Sequence, residues 1–218
     1  TPGTSADRLL NGPTNDVWLN PWLEYLKEKG VNYQLNSKVK KINYDGQVIT
    51  GAIIEQDGKE FEVKGDYYLC AIPVDIMPTL LTPEMMKNAP SLSRIPQLAP
   101  SVSWMNGVQF YLKENIDIIH GHTIYIDTPW ALTSVSQKQF WPGVNFSEIG
   151  DGTVQGILSV DVSDWTTPGT LFKDEKTGKY LNGQECTREQ VKEEIIYLSH
   201  PSNSAERMSS RLEVHEIL

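Results

Sequence analysis

The stretch from Gly30 to Asp75 constrains the fold of this chain more than any other; it reads GVNYQLNSKVKKINYDGQVITGAIIEQDGKEFEVKGDYYLCAIPVD. Short apolar segments are punctuated here by Asp45-Gly46, Asp57-Gly58 and Gly65-Asp66. Paired aspartate and glycine supply the positive φ angles that tight hairpin turns require, so each pair marks a chain reversal. The spacing predicts a first strand over 31–35, entered from a helix, and then an antiparallel meander over 38–43, 47–56 and 59–63. Val39, Ile42, Val48, Ile53 and Val63 are the expected inward positions, and their imperfect parity predicts a bulge. Tyr67 to Ile72 then runs apolar without alternation, the pattern of a strand covered on both faces, and stops at Pro73.

Ahead of the meander, Asn20 reads as an N-cap, Pro21 as the first helical residue and Gly30 as the residue past the helix end. Trp18 and Trp22, four apart, read as core anchors of that helix. From Val74 to Ala99 the prolines permit only short helices, the clearest starting at Pro83 after Thr82. Met77, Met85 and Met86 suit either an adaptable apolar cavity or ordinary core.

Strand patterns return over 101–112, where Val102, Trp104, Val108, Phe110 and Leu112 share one parity, and over 123–127, 130–137 and 153–162. Four such strands fit a mostly antiparallel sheet. Asp164-Trp165 and Pro168-Gly169 read as a turn, and 173–183 as a polar excursion. Thr187-Arg188-Glu189-Gln190 is a capping box opening a helix with Val191, Ile195 and Leu198 on one face. A short helical tail through Met208 and Leu212 closes the sequence. The expected class is α+β (α/β), divided into residues 1–80 and 81–218.

Several chemistries are excluded or weakened. A formal charge of −9, a pI near 4.9 and no Lys/Arg run longer than two argue against a nucleic-acid surface. No G-x-S-x-G, Walker A or nucleophile–base spacing is present, which removes hydrolase and NTPase readings. His120 and His122 lie two apart but have no third ligand at a recognised spacing, so no metal is assigned. Cys70 and Cys186 form no framework, and no apolar run nears membrane-spanning length; a cytoplasmic protein is expected.

The order of helix, strand, meander and buried strand resembles the second half of the FAD-binding domain in the flavin-dependent amine oxidase and phytoene desaturase superfamily, including its hydroxysqualene dehydroxylase relatives. The residues that carry the likeness are Gly30-Val31, Ser37-Lys38-Val39 and Cys70-Ala71-Ile72-Pro73. The runs WMNGVQFYL, HGHTIY, PWALTSVSQ and DWTTPG are similar to a bacterial desaturase-like subgroup. The resemblance implies FAD as cofactor, with Val39 against its adenine end and Ala71 and Pro73 approaching the dinucleotide. Residues 1–80 are then a partial FAD-binding domain and 81–218 a substrate domain.

The resemblance also implies hydride transfer from an apolar, isoprenoid-like substrate to flavin, in which an apolar tunnel matters more than a catalytic triad. Trp104, Phe110, Tyr125, Trp130 and Phe140 would line it, with Gln109, Asp127 or Gln137 orienting a polar group; no catalytic residue is assigned. Such a substrate would bring the protein into peripheral contact with membranes. The G-x-G-x-x-G pyrophosphate loop of such enzymes is missing, so the chain reads as an internal piece of a longer flavoprotein that holds FAD poorly alone. Two alternatives stand beside this: a non-catalytic ligand-binding module, and one half of a split flavoprotein whose partner chain supplies the N-terminal FAD half.

Overall fold

A computed structural model describes residues 8–199. The chain packs as two units, Leu26–Ser103 and Trp104–Leu218 joined by the first 25 residues. The expected division near residue 80 concerns cofactor and substrate domains rather than packing units. The expected helical tail through Met208 and Leu212 lies outside the described residues.

Helical structure begins earlier than the Asn20 cap predicts. Asn15–Leu19 forms a π-helical turn, Asn20 is itself helical with φ −64°, and α1 runs on over Asn20–Glu28. The Asn20 N–H reaches back to Asn15 O, and Pro21, which has no N–H, falls where the helix changes register. Trp18 and Trp22 are each 53% exposed, so neither is the core anchor its spacing suggests.

In the unit Leu26–Ser103, β1 (Ser37–Tyr44), β2 (Ile49–Gln56) and β3 (Lys59–Val63) form the expected antiparallel meander in the order β1-β2-β3. Both Asp57 and Gly58 have positive φ (51° and 73°), as a two-residue reversal demands. Register shifts fall between Val39 and Lys41 and between Asn43 and Tyr44. The first explains the imperfect parity: one extra residue lets Val39 and Ile42, three apart, pack on the same cluster. Val48 and Val63 were expected inward but are 60% and 45% exposed, because Val48 belongs to the turn and all of β3 is exposed.

Two expected strands do not form. Residues 31–35 and 67–72 form no strand pairing among the described residues, and Tyr67 and Leu69 are each 96% exposed. A strand exists only through a neighbour that takes its N–H and C=O groups, so an apolar run without such a neighbour stays irregular. Below the meander, Ile42 joins Leu80 and Met85 in a small core. Met85 comes from α2 (Pro83–Asn88), where Thr82 Oγ1 accepts the Met85 N–H at 3.2 Å as the sequence predicts. One more short helix, α3 (Ile95–Leu98), follows.

In the unit that holds residues 104–199, β4 (Asn106–Leu112), β5 (Thr123–Ile124), β6 (Leu132–Ser136) and β7 (Gly156–Val162) form an antiparallel sheet in the order β4-β7-β6-β5. Val108, Phe110, Leu132, Leu158, Val160 and Val162 make one buried face. Helix α4 (Arg188–Leu198) covers it with Val191 and Ile195, and Trp130 and Trp165 close its end with ring centroids 5.8 Å apart. The predicted capping box is present, Thr187 and Gln190 each accepting the other's backbone N–H.

A hairpin was not foreseen: β8 (Pro168–Lys173) pairs with β9 (Tyr180–Asn182) where the sequence reads as a turn and a polar excursion. Its polar composition hides what orders it, the carboxylate of Glu194. That side chain is 1% exposed and accepts Thr170 N at 2.5 Å, Thr170 Oγ1 at 2.6 Å and Leu171 N at 2.9 Å. Gly169 makes the approach possible, since a Cβ there would lie 2.8 Å from the Glu194 carboxyl carbon. Just ahead of the hairpin, the Asp164 carboxylate accepts from the Thr167 hydroxyl and from the Thr166 and Thr167 amides, which holds its pKa down at about 2. No helix among the described residues is long and apolar enough to cross a membrane.

Candidate functional site

The site begins with the β1 bulge. It turns Val39 toward Ile42 and Tyr44, and the chain after the meander brings Ala71 and Ile72 to the same place. The result is an apolar cavity of about 700 Å³, floored by Ile42 and Met85 and walled by Val39, Tyr44, Ala71 and Met77. This size lies within the range of small-molecule sites. One wall is pinned by a polar clasp: Tyr44 donates to Gly46 O at 2.8 Å, and Asn88 donates to Tyr44 Oη at 3.0 Å and to Gly46 O at 2.8 Å. The clasp ties the β1–β2 turn to α2. Asp45 caps the same turn through Gln47 N and Val48 N, and these backbone donors lower its pKa.

Two of the three expected cofactor residues, Val39 and Ala71, therefore line one cavity. Pro73 is exposed and does not line it. Among the described residues that line it there is no Lys, Arg or His. A ring system or an isoprenoid chain suits such walls, whereas a diphosphate would find no cation and no glycine-rich loop there. The residues thus fit the ring portion of FAD and do not fit its pyrophosphate.

The five residues expected at a substrate separate over the other unit. Gln109 and Gln137 come together: both amides donate to Ser159 Oγ, at 3.4 and 2.9 Å, and Tyr111 donates to Gln109 Oε1 at 3.2 Å. These four side chains stand on the sheet face opposite α4. Ser159 is the member that sequence reasoning missed; the signal was there in its placement opposite Gln109 on neighbouring strands, which needs the register to be seen. Tyr125 is on the α4 side, its hydroxyl 2.9 Å from Ser134 Oγ. Trp130 is fully buried, its indole N–H donating to Thr167 O at 3.2 Å. Trp104 is 70% exposed beside a second cavity. The His120 ring packs on Phe140 at 4.9 Å, and among the described residues no three His, Cys, Asp or Glu side chains converge.

Meander, bulge and cavity coincide with a family match. Residues 13–112 match the family of flavin containing amine oxidoreductases. Over this region the chain is of the flavin amine oxidase and phytoene desaturase-like superfamily. Among similar curated proteins, the 15-cis-phytoene desaturase of Solanum lycopersicum is 40% identical over 178 residues, covering 76% of this chain and 29% of that protein. The 15-cis-phytoene desaturase of Glycine max is 28% identical over 176 residues, covering 76% of this chain and 30% of that protein. The chain thus spans about three tenths of the length of these relatives. The matched family is flavin-containing.

Proposed function

We propose that this chain is part of an FAD-dependent oxidoreductase that transfers a hydride from an apolar, isoprenoid-like substrate to flavin. The observation that carries the reading is the meeting of Val39 and Ala71 in one apolar cavity. In this reading Val39, Ala71 and the neighbouring Ile72 hold a ring of the dinucleotide by dispersion and by exclusion of water. Bound flavin supplies the hydride acceptor; the chain supplies shape and position. Gln109 and Gln137, held on Ser159, are the polar groups available to orient a substrate.

The pyrophosphate falls to another polypeptide segment. Residues 31–35 and 67–72, irregular as described above, are the segments that such a neighbour, bearing the glycine-rich loop, would turn into parallel strands. A second reading, a non-catalytic module for apolar ligands, is favoured by the absence of any cation from the cavity lining.

The test is a titration with FAD followed by quenching of flavin fluorescence, on the native chain and on Ala71→Trp. Ala71 is exposed, so the indole fills the cavity mouth without entering the small core. Weak saturable binding by the native chain is expected, reduced at least roughly tenfold by the substitution, which corresponds to about 1.4 kcal/mol. Equal binding by both proteins would remove the cavity from the reading. Saturable binding of an all-apolar polyene without any flavin binding would favour the second reading.

A further inference from the structure

The sheet of residues 104–199 has a second face, opposite α4, and the strand register fixes what stands on it. β7 places Ile157, Ser159 and Asp161 there; β4 sets Tyr111, Gln109 and Gly107 across from them, and β6 sets Thr133 beside Asp161. The end at Ile157 is closed by a small core of Phe146, Val154 and Ile157, with Tyr111 and Trp141 packed on it. Toward the other end Gly107 and Asp161 are exposed, and Gln109, Gln137 and Ser159 are half-buried. On a merely solvated face polar side chains reach separately into water; here they are tied to one another.

The network sorts its protons. Tyr111 donates to Gln109 Oε1, which turns the Gln109 amide nitrogen toward Ser159. Gln137, set in line with β6 by the bond from its N–H to Ile157 O, turns its own amide nitrogen to the same hydroxyl. A serine oxygen has two lone pairs, and these two amides fill both. The Ser159 proton therefore points away from the glutamines, a donor with no acceptor among the described residues. Two residues along β7, about 7 Å away at Cα, stands the Asp161 carboxylate, an acceptor with no donor or cation among the described residues. It leans over β4 at Gly107, where a Cβ would lie 3.4 Å from Oδ1, so the missing side chain leaves the floor open beside it. Ile124, opposite Thr133 on β5 and 69% exposed, adds an apolar contact on the same face.

We propose that Ser159 and Asp161 are the specificity-determining pair of this face and select an isoprenoid alcohol, whose hydroxyl oxygen accepts from Ser159 and whose proton is given to Asp161. A hydroxyl meets both groups through a single atom. A hydrocarbon meets neither, a carbonyl turns a lone pair toward the carboxylate, and an ammonium turns its protons toward that of Ser159. Gln109, Gln137 and Tyr111 are positioning residues: they aim the Ser159 proton. The inference rests on the reading above that Gln109 and Gln137 stand at the substrate, and it makes no use of the flavin-type cavity.

The experiment titrates the full chain with farnesol, its methyl ether and the parent hydrocarbon, followed by the side-chain amide NMR signals of Gln109 and Gln137. These ligands share one skeleton and differ in what the oxygen can do: donate and accept, accept only, or neither. Affinity is expected to fall in that order, by roughly fivefold at each step, as one half-exposed hydrogen bond is worth. Ser159→Ala should erase the step between ether and hydrocarbon, and Asp161→Ala the step between alcohol and ether. Ser159→Thr, which keeps the hydroxyl, should retain the order; a merely structural role would weaken all three ligands alike. Equal binding of alcohol and hydrocarbon would overturn the proposal, as would an order unchanged in both alanine variants. So would alcohol binding that leaves both glutamine amides unmoved, or no binding of any of the three. No flavin enters this titration, so failure of FAD to bind overturns the flavin reading and leaves the predicted order standing.

Discussion

Trp130→Ala is expected to lower stability by about 4 kcal/mol, the cost of emptying the place of a large aromatic side chain from a packed core, and to lower the melting temperature by roughly 10 °C. Trp130 is 0% exposed, touches the sheet's buried face, packs on Trp165 and donates its indole N–H to Thr167 O. Truncation removes all of these at once and leaves the Thr167 carbonyl without that donor. Trp130→Phe, which keeps a ring but loses the N–H, should cost about half as much. Urea unfolding followed by near-ultraviolet circular dichroism measures both. A small effect of the alanine variant on stability would contradict the place of this tryptophan in the packed core.

Glu194→Ala should be comparably damaging, at about 3 to 5 kcal/mol, for a different reason. The alanine leaves the amides of Thr170 and Leu171 without their acceptor beneath α4, and unsatisfied buried donors cost about 1 to 3 kcal/mol each. Glu194→Gln keeps one acceptor oxygen but turns an NH₂ toward a donor, so a smaller loss of about 1 to 2 kcal/mol is expected. Gly169→Ala attacks the same contact from the other side, because its Cβ falls on the carboxyl group. The two substitutions should therefore be strongly non-additive, whereas either should add to Trp130→Phe unless the hairpin and the Trp pair are coupled. Chemical denaturation of the single and double variants reads this out.

Local chemistry made the meander legible from sequence. Asp57-Gly58 could only be a reversal, and Thr82-Pro83 and Thr187-x-x-Gln190 could only open helices, so these features lie where the residues put them. The four-strand sheet was legible for the same reason: Val108, Phe110 and Leu112 alternate, and so do Leu158, Val160 and Val162. What failed to show were features decided by distant partners. Residues 67–72 have the composition of a doubly covered strand, but strand formation needs a neighbour that is not among the described residues. The β8–β9 hairpin is held by a carboxylate more than twenty positions away, and nothing local in Thr170 or Leu171 announces Glu194.

The candidate site shows the same division. Val39 and Ala71 were named through resemblance, and the structure brings them to one cavity, but the bulge that turns Val39 inward was visible only as a fault in the parity. Pro73, two residues beyond Ala71, is directed elsewhere. Gln109 and Gln137 were named separately; their common partner Ser159 appears only once the register of β4, β6 and β7 is known. Charge was informative in a negative sense: among the described residues the cavity lining holds no cation for a diphosphate.

The central claim is that the cavity beneath the meander takes a flavin dinucleotide's ring. The direct measurement is a methionine-methyl NMR titration with FAD, using ¹³C-methyl-labelled protein and assignment by Met→Leu substitution. Met77 and Met85 line the cavity, whereas Met105 is exposed in the other unit. The account predicts saturable shifts of the Met77 and Met85 methyls, with Met105 unmoved and the shifts lost in Ala71→Trp. Shifts confined to Met105, or none at concentrations where flavin fluorescence is quenched, would contradict it.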